Sequence, residues 1–374
     1  MFKLTKTACK MSLRRPPEVV LRCAIAKEAC RRVGISPCLT SARTHVHKAA
    51  VCTELGKPLQ IRTDIPTPQS LEKGQVLIAV QAVGINFADV LLCAGLYQEK
   101  PPLPFIPGSE ISGEVAAVGE GVTDLAINDR VLALSRLSGF SEFCVIDSKA
   151  VWKMPETLAY PEAAALLVSY GTAFMALTRT AQVKPGETIL VTAAAGALGL
   201  AAVDLGVNTF GCNVIAACGG EEKGLLVKEK GAHHVIDYTK EDMRQRVKEI
   251  TEGRGANVII DPVGGQVFMD CIRSVAFEGR IVTLGYASGD IPKVPANHLL
   301  VKSCSVMGLY WGSYSKLHPE AHAHSIASIL RLSREGKVSP HVSKVFPLEQ
   351  ANEALRFLHS RKSTGKVCLQ VGKD

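Results

Sequence analysis

The run Thr188-Ile189-Leu190-Val191-Thr192, followed at once by Ala193-Ala194-Ala195-Gly196-Ala197-Leu198-Gly199, limits the possible folds of this chain more than any other stretch. The β-branched and aliphatic residues read as a short buried strand. The small residues after them read as a turn that delivers the chain into a helix. Small side chains there let the backbone approach a ligand closely, and the positive end of the helix then faces it. A pyrophosphate uses both features. The glycine frame is degenerate, because Ala194 stands where the first glycine would be, leaving Ala194-x-Gly196-x-x-Gly199. Alone, such a frame has little specificity. Placed between a strand and a helix, inside repeated β–α units, it points to a dinucleotide. Ala195, Gly196, Ala197, Leu198 and Gly199 are therefore candidate cofactor-binding positions.

Those repeated units are visible from about Gly171 onward. Asn213–Ala217, Asn257–Asp261 and Arg280–Gly285 read as further strands, and Met243, Val247 and Ile250 fall at helical spacing between two of them. The alternation predicts an α/β fold with a doubly wound parallel sheet of Rossmann type. Leu284 and Gly285, closing the last of these strands, join the candidate cofactor positions. Before Gly171 the rhythm differs. Gln75–Gly84, Gly113–Gly119, Asp129–Ala133 and Phe143–Ile146 are short strands punctuated by glycine, which predicts a small β-barrel-like domain. The expected division is 49–172 for that domain, completed by 316–374, and 173–315 for the cofactor domain.

The choice of cofactor is read at the end of the second strand. There an NAD-using site places an acid for the ribose hydroxyls. Here the residues are Cys218-Gly219-Gly220, with Glu221, Glu222 and Lys223 opening the next helix. No acid sits at the strand tip, Gly219 and Gly220 leave space, and Lys223 offers a positive charge to a 2′-phosphate. NADPH is the expected cofactor, with Glu221 the residue that would speak for NADH.

The net charge of +8 belongs to the first residues. Residues 1–48 hold 11 Lys/Arg against Glu18 and Glu28 alone, so the remainder is close to neutral. A near-neutral body gives no reason to expect nucleic-acid binding. The leader is rich in Arg, Lys, Ser and Thr and lacks a long apolar core, the pattern of a presequence directing a chain to the mitochondrial matrix. The longest apolar run, Ile189–Val203, contains two glycines and is too short to span a bilayer. The 12 cysteines are scattered singly without metal spacing, so reduced, mostly buried thiols are expected.

An ordered set of motifs resembles the medium-chain dehydrogenase/reductase superfamily, and within it the quinone oxidoreductases. These are Gly84-Ile85-Asn86-Phe87-Ala88-Asp89, Gly95-Leu96-Tyr97, Pro107-Gly108-Ser109-Glu110-Ile111-Ser112-Gly113 and Ser169-Tyr170-Gly171-Thr172-Ala173. Gly231-Ala232-His233-His234-Val235-Ile236-Asp237-Tyr238, Gly308-Leu309-Tyr310-Trp311-Gly312 and Arg361-Lys362-Ser363-Thr364-Gly365-Lys366 follow. The resemblance covers essentially all of residues 50–374. It implies a GroES-like β-barrel catalytic domain, a cleft site between the two domains and a homodimer. It also implies that Asn86, Thr172, Lys223 and Tyr238 contact NADPH, the latter two near the 2′-phosphate, and that Asn86 and Tyr97 face the substrate.

Zinc-using relatives carry a cysteine ligand where this chain has Asn86 and a histidine where it has Ser109. An amide and a hydroxyl do not replace a thiolate and an imidazole on zinc, so no metal is expected. Without a Lewis acid the substrate must be polarised by hydrogen bonds, which suits a quinone or conjugated enone. Tyr97 is the candidate donor, since an ordinary phenol stays protonated at neutral pH. Leu91 stands where some quinone oxidoreductases have a second tyrosine. An enoyl-thioester or alkenal reductase would use the same scaffold, as would a non-catalytic dinucleotide-binding protein with an RNA-binding or structural role.

Overall fold

The computed structural model describes residues 45–372, so residues 1–44 of the basic leader lie outside it. Strands β1 (Val46–Val51) and β2 (Gln60–Pro66) form an antiparallel pair. Lys48 stands inside β1, its backbone N–H donating to the Glu142 carboxylate at 2.8 Å and its ammonium pairing with Glu349. The folded body thus begins by Val46, inside the segment 1–48 expected to be leader.

Strands β3 (Gln75–Ile85), β4 (Glu110–Val118), β5 (Arg130–Leu134), β6 (Phe143–Asp147) and β7 (Val151–Lys153) build the first domain. The long strand β3 organises it. One edge of β3 pairs with β4 throughout, while the other pairs with β6 at Gln75–Ala79 and then with a C-terminal strand at Ala82–Ile85. Such a shared edge bends the sheet toward a barrel. Its interior is a continuous apolar cluster including Ile78, Val80, Ile85, Ile111, Val131 and Phe140. A seven-residue helix, Phe87–Cys93, leaves β3 directly. The strand-by-strand sequence pattern does not announce it, because the segment is too short to show helical periodicity.

Strands β8 (Thr188–Val191), β9 (Asn213–Cys218), β10 (His234–Asp237), β11 (Ala256–Asp261), β12 (Val275–Thr283) and β13 (Ser305–Gly308) form the second sheet. Every pair is parallel and the order is β10-β9-β8-β11-β12-β13. Strand order therefore reverses between β8 and β11, and the carboxyl ends of these two strands are the switch point at which open α/β sheets bind ligands. Residues alternate cleanly between faces. Ile189, Val191, Val214, Ala216, Val258 and Ile260 join one core, and Leu190, Ile215, Ala217 and Ile259 join the other. Both faces are covered, which is why these strands read as unbroken apolar runs.

The helix Pro319–Arg334 buries Ile326, Ile329, Leu330 and Leu332 in the same cluster as the helices Leu167–Met175 and Ala197–Asn208. The chain accordingly stays with the parallel sheet past residue 316. It returns to the first domain at β14 (Val342–Pro347) and β15 (Lys366–Gln370), the latter pairing with β3.

Candidate active site

Gly196 enters the helix Ala197–Asn208 with extended backbone, directly after the tip of β8. At Gly199 a side chain is sterically forbidden, since a Cβ there would lie 2.4 Å from the Ala193 carbonyl oxygen and 2.7 Å from the Ala194 Cα. The helix is thereby pressed against the turn, with Ala195, Ala197 and Leu198 flanking Gly196 at its start. The neighbouring strand tips are tied together. Thr192 Oγ1 donates to Asp261 Oδ1 at 2.6 Å, and the Leu284 N–H donates to the Asp261 carbonyl at 2.9 Å. Gly285 follows, with no atom closer to a would-be Cβ than the Pro262 oxygen at 3.6 Å.

At the end of β9, Gly220 adopts φ +91°, a left-handed-side conformation that suits glycine. Its N–H donates to Asp237 Oδ1 at 3.0 Å, which also accepts the Thr239 N–H and hydroxyl. These bonds, that to the Thr239 hydroxyl foremost, hold Asp237 below the usual carboxylate range and commit it to the turn. The Tyr238 ring lies against Gly219, 3.2 Å from where a Cβ would be. The Lys223 ammonium donates to the Arg361 carbonyl at 2.7 Å, and the Arg361 guanidinium donates to the Ala287 carbonyl at 2.9 Å. Tyr238 thus packs on Gly219, and Arg361 links Lys223 to the Ala287–Ser288 loop. Arg361 was visible in sequence only as part of a motif. It meets Lys223 from 138 residues further along the chain, a proximity that no local pattern announces.

Asn86 caps the helix Phe87–Cys93, its N–H donating to Asp89 Oδ2 at 2.7 Å. Its carboxamide oxygen accepts from the Lys366 ammonium at 2.8 Å. Its amide nitrogen makes long bonds, 3.3 Å each, to the Gly84 carbonyl and Glu110 Oε2. Lys366 also meets Glu110 Oε2, at 2.6 Å, and Glu110 Oε1 accepts the Val168 N–H at 2.9 Å at the start of the helix that bears Thr172. Gly365, preceding Lys366, donates its N–H to the Ala195 carbonyl at 2.7 Å. One continuous line of bonds therefore runs from the cofactor turn through Lys366 to Asn86. Sequence alone marks neither Lys366 nor Glu110 as a site residue, although they stand in the motifs Arg361–Lys366 and Pro107–Gly113.

Tyr97 and Tyr310 bring the two domains into contact. Tyr97 follows the helix Phe87–Cys93 of the first domain, and Tyr310 follows β13 of the parallel sheet. Tyr97 Oη donates to Tyr310 Oη at 3.2 Å, and Tyr310 Oη donates to Glu99 Oε1 at 3.2 Å. Burial raises both phenols above their ordinary value.

Residues 72–159 match the Alcohol dehydrogenase GroES-like domain, and residues 197–325 match the Zinc-binding dehydrogenase family. Quinone oxidoreductase-like protein 2 homolog of Nematostella vectensis is 48% identical over 361 residues, covering 95% of this chain and 98% of that one. The chain belongs to the medium-chain dehydrogenase/reductase superfamily. Quinone oxidoreductase-like protein 2 of Rattus norvegicus, another member, is 44% identical over 350 residues, 94% of this chain and 98% of that protein. Among solved structures, the quinone oxidoreductase of Thermus thermophilus, determined alone and in complex with NADPH, superposes with a TM-score of 0.75. It is 35% identical, and the match covers 86% of this chain and 99% of that one. The α/β fold with a GroES-like domain is thus that of the superfamily, and the chain is an oxidoreductase-family member with a nucleotide-binding fold. The stretch matching the Zinc-binding dehydrogenase family includes neither Asn86 nor Ser109. The eight cysteines among the described residues are all buried and unbridged. No helix among the described residues is long and apolar enough to cross a membrane.

Proposed function

We propose that the protein is an NADPH-dependent reductase that delivers hydride to a quinone or conjugated enone without a metal ion. The Lys366 ammonium carries this reading. It is buried between Glu110 and Asn86, the residue at the cysteine-ligand position of zinc-using relatives. A fixed cation already neutralises that polar centre, and a second cation a few ångströms away would meet strong repulsion at low dielectric.

The residues fit NADPH. Gly196 brings bare backbone to the helix start, Gly199 packs the helix against the Ala193–Ala194 turn, and the helix N-terminus favours a pyrophosphate. Lys223 and Arg361 supply two cations beside the Gly219–Gly220 turn, with Tyr238 as a neutral neighbour, an arrangement suited to a 2′-phosphate. Thr172, Leu284 and Gly285 would flank the nicotinamide half. NADPH, when bound, supplies hydride from nicotinamide C4. Tyr97 donates its hydroxyl hydrogen to the acceptor oxygen as charge develops there. Asn86 holds its carboxamide in one orientation through Lys366 and shapes the floor of the site.

Two further proposals accompany this one. The exposed edge strand β13 and the nearby Leu300 and Val301, 80% and 77% exposed, support a homodimer built on that edge. Light scattering that reads a single chain mass at micromolar concentration would exclude it. The basic leader supports import into the mitochondrial matrix.

The reading is tested by following NADPH oxidation by the purified protein against a panel of benzoquinones, alkenals and enoyl thioesters. Turnover with quinones or simple enones is expected. Turnover confined to enoyl thioesters would move the substrate class, and none with any acceptor would overturn the reading.

A further inference from the structure

The sequence offers one tyrosine for the reacting oxygen, Tyr97, and Leu91 where a second could stand. The fold brings a second from the other domain. Tyr310 arrives on the loop after β13, 213 residues downstream, and its hydroxyl lies 3.2 Å from that of Tyr97. Beyond it, Glu99 Oε1 accepts from Tyr310 at 3.2 Å, and Glu99 Oε2 meets the Arg136 guanidinium at 3.4 Å. The four side chains form an ordered row of hydroxyl, hydroxyl, carboxylate and guanidinium.

We propose that Tyr310 is a positioning residue for hydride transfer, acting through Tyr97. This rests on the reductase reading above and deepens it. In the resting row, Tyr97 donates to Tyr310 and Tyr310 to Glu99. When hydride adds to the carbon β to the carbonyl, the C=C π pair shifts toward the carbonyl carbon and the C=O π pair moves to oxygen. The Tyr97 O–H bond then breaks and its proton joins that oxygen. The electron pair left on Tyr97 is met by the Tyr310 hydroxyl, which turns from Glu99 to donate to Tyr97. A phenolate that accepts a hydrogen bond is stabilised, so Tyr97 becomes a stronger acid only while it is giving up its proton. Glu99 holds the Tyr310 hydroxyl between turnovers, and Arg136 pairs with Glu99 at the exposed end of the row. The groups that act on Tyr97 are therefore Tyr310, Glu99 and, through the field of its buried carboxyl, Asp89.

Packing alone would also bring two rings together, so the test separates the two roles. Tyr310→Phe keeps the ring and removes the hydroxyl. In the active enzyme it is expected to lower kcat about tenfold or more while leaving the KM for NADPH unchanged. The alkaline limb of the pH profile should move upward, because Tyr97 loses a donor. In a Tyr97→Phe background the same substitution should cost almost nothing, since it acts through a hydroxyl no longer there. Midpoint temperatures of the cofactor-free protein give a second readout without turnover. The losses of the two single variants should not sum in the double variant. Additive losses in both measurements, or an unmoved alkaline limb with full kcat, would overturn the pairing while leaving the reductase reading intact. A wild-type protein without turnover on any acceptor would overturn both.

Discussion

The Lys366 ammonium and the Glu110 carboxylate meet at 2.6 Å with 2% and 0% of their side chains exposed. A buried pair of this kind adds little over a well-packed apolar one, but breaking it on one side leaves a stranded charge. Lys366→Met should therefore lower the unfolding free energy by about 3–5 kcal/mol. Lys366→Met combined with Glu110→Gln should cost less than the single substitution. Urea unfolding of both variants checks this, and a double variant less stable than Lys366→Met would contradict it.

At the proposed phosphate site, Lys223→Ala and Arg361→Ala each remove one charge-assisted contact, worth roughly 1.5–3 kcal/mol. NADPH affinity should fall about ten- to a hundredfold and NADH affinity hardly at all. Tyr238→Phe should weaken NADPH less. Fluorescence titration with both cofactors reads the difference. Equal losses for NADPH and NADH would place the phosphate elsewhere and make Glu221 the residue to test at the ribose.

Much of the proposed site can be read in the sequence. The small-residue turn at Ala194–Gly199 could be read because its chemistry is local, with strand, turn and helix consecutive in the chain. Gly219, Gly220 and Lys223 could be read because strand ends in repeated β–α units follow a fixed spacing. Arg361, Lys366 and Tyr310 could not be assigned roles, because their partners Lys223, Glu110 and Tyr97 lie 138, 256 and 213 residues away. Only the return of β15 to β3 brings Lys366 beneath Asn86. The leader boundary differs for another reason. Val46, His47 and Lys48 sit among the Thr, Arg and His residues of a basic segment, and strand pairing rather than composition claims them for the body.

That boundary sets the truncation to make. Removing residues 1–44 should abolish mitochondrial import while leaving thermal stability and cofactor affinity unchanged. Removing 1–48 should also destabilise the body, because it takes half of β1 and the Lys48 contacts to Glu142 and Glu349. Import of the shorter-deleted chain at the wild-type rate would sink the targeting proposal.

Asp89 gives a pH signature. Burial, opposed by the Asn86 and Gly108 N–H groups, raises its carboxyl from 3.8 to about 6. The folded state thus keeps a proton that the unfolded chain releases. The stability this contributes is complete below about pH 4 and is lost as pH rises through about 6. The wild-type advantage over Asp89→Asn should therefore shrink across that window, by on the order of 3 kcal/mol. Urea unfolding of the two proteins at several pH values measures it, and a constant gap would contradict the shift.

Direct hydride transfer from NADPH without a metal leaves a label in the product. Its most direct measurement uses chelator-treated, metal-analysed protein, NADPH carrying deuterium at nicotinamide C4, and a conjugated enone acceptor. The expected result is no stoichiometric zinc, undiminished turnover, and deuterium on the carbon β to the product carbonyl, with the α-hydrogen from solvent. Loss of turnover that zinc alone restores, or a product whose β-hydrogen comes from solvent, would contradict direct metal-free transfer.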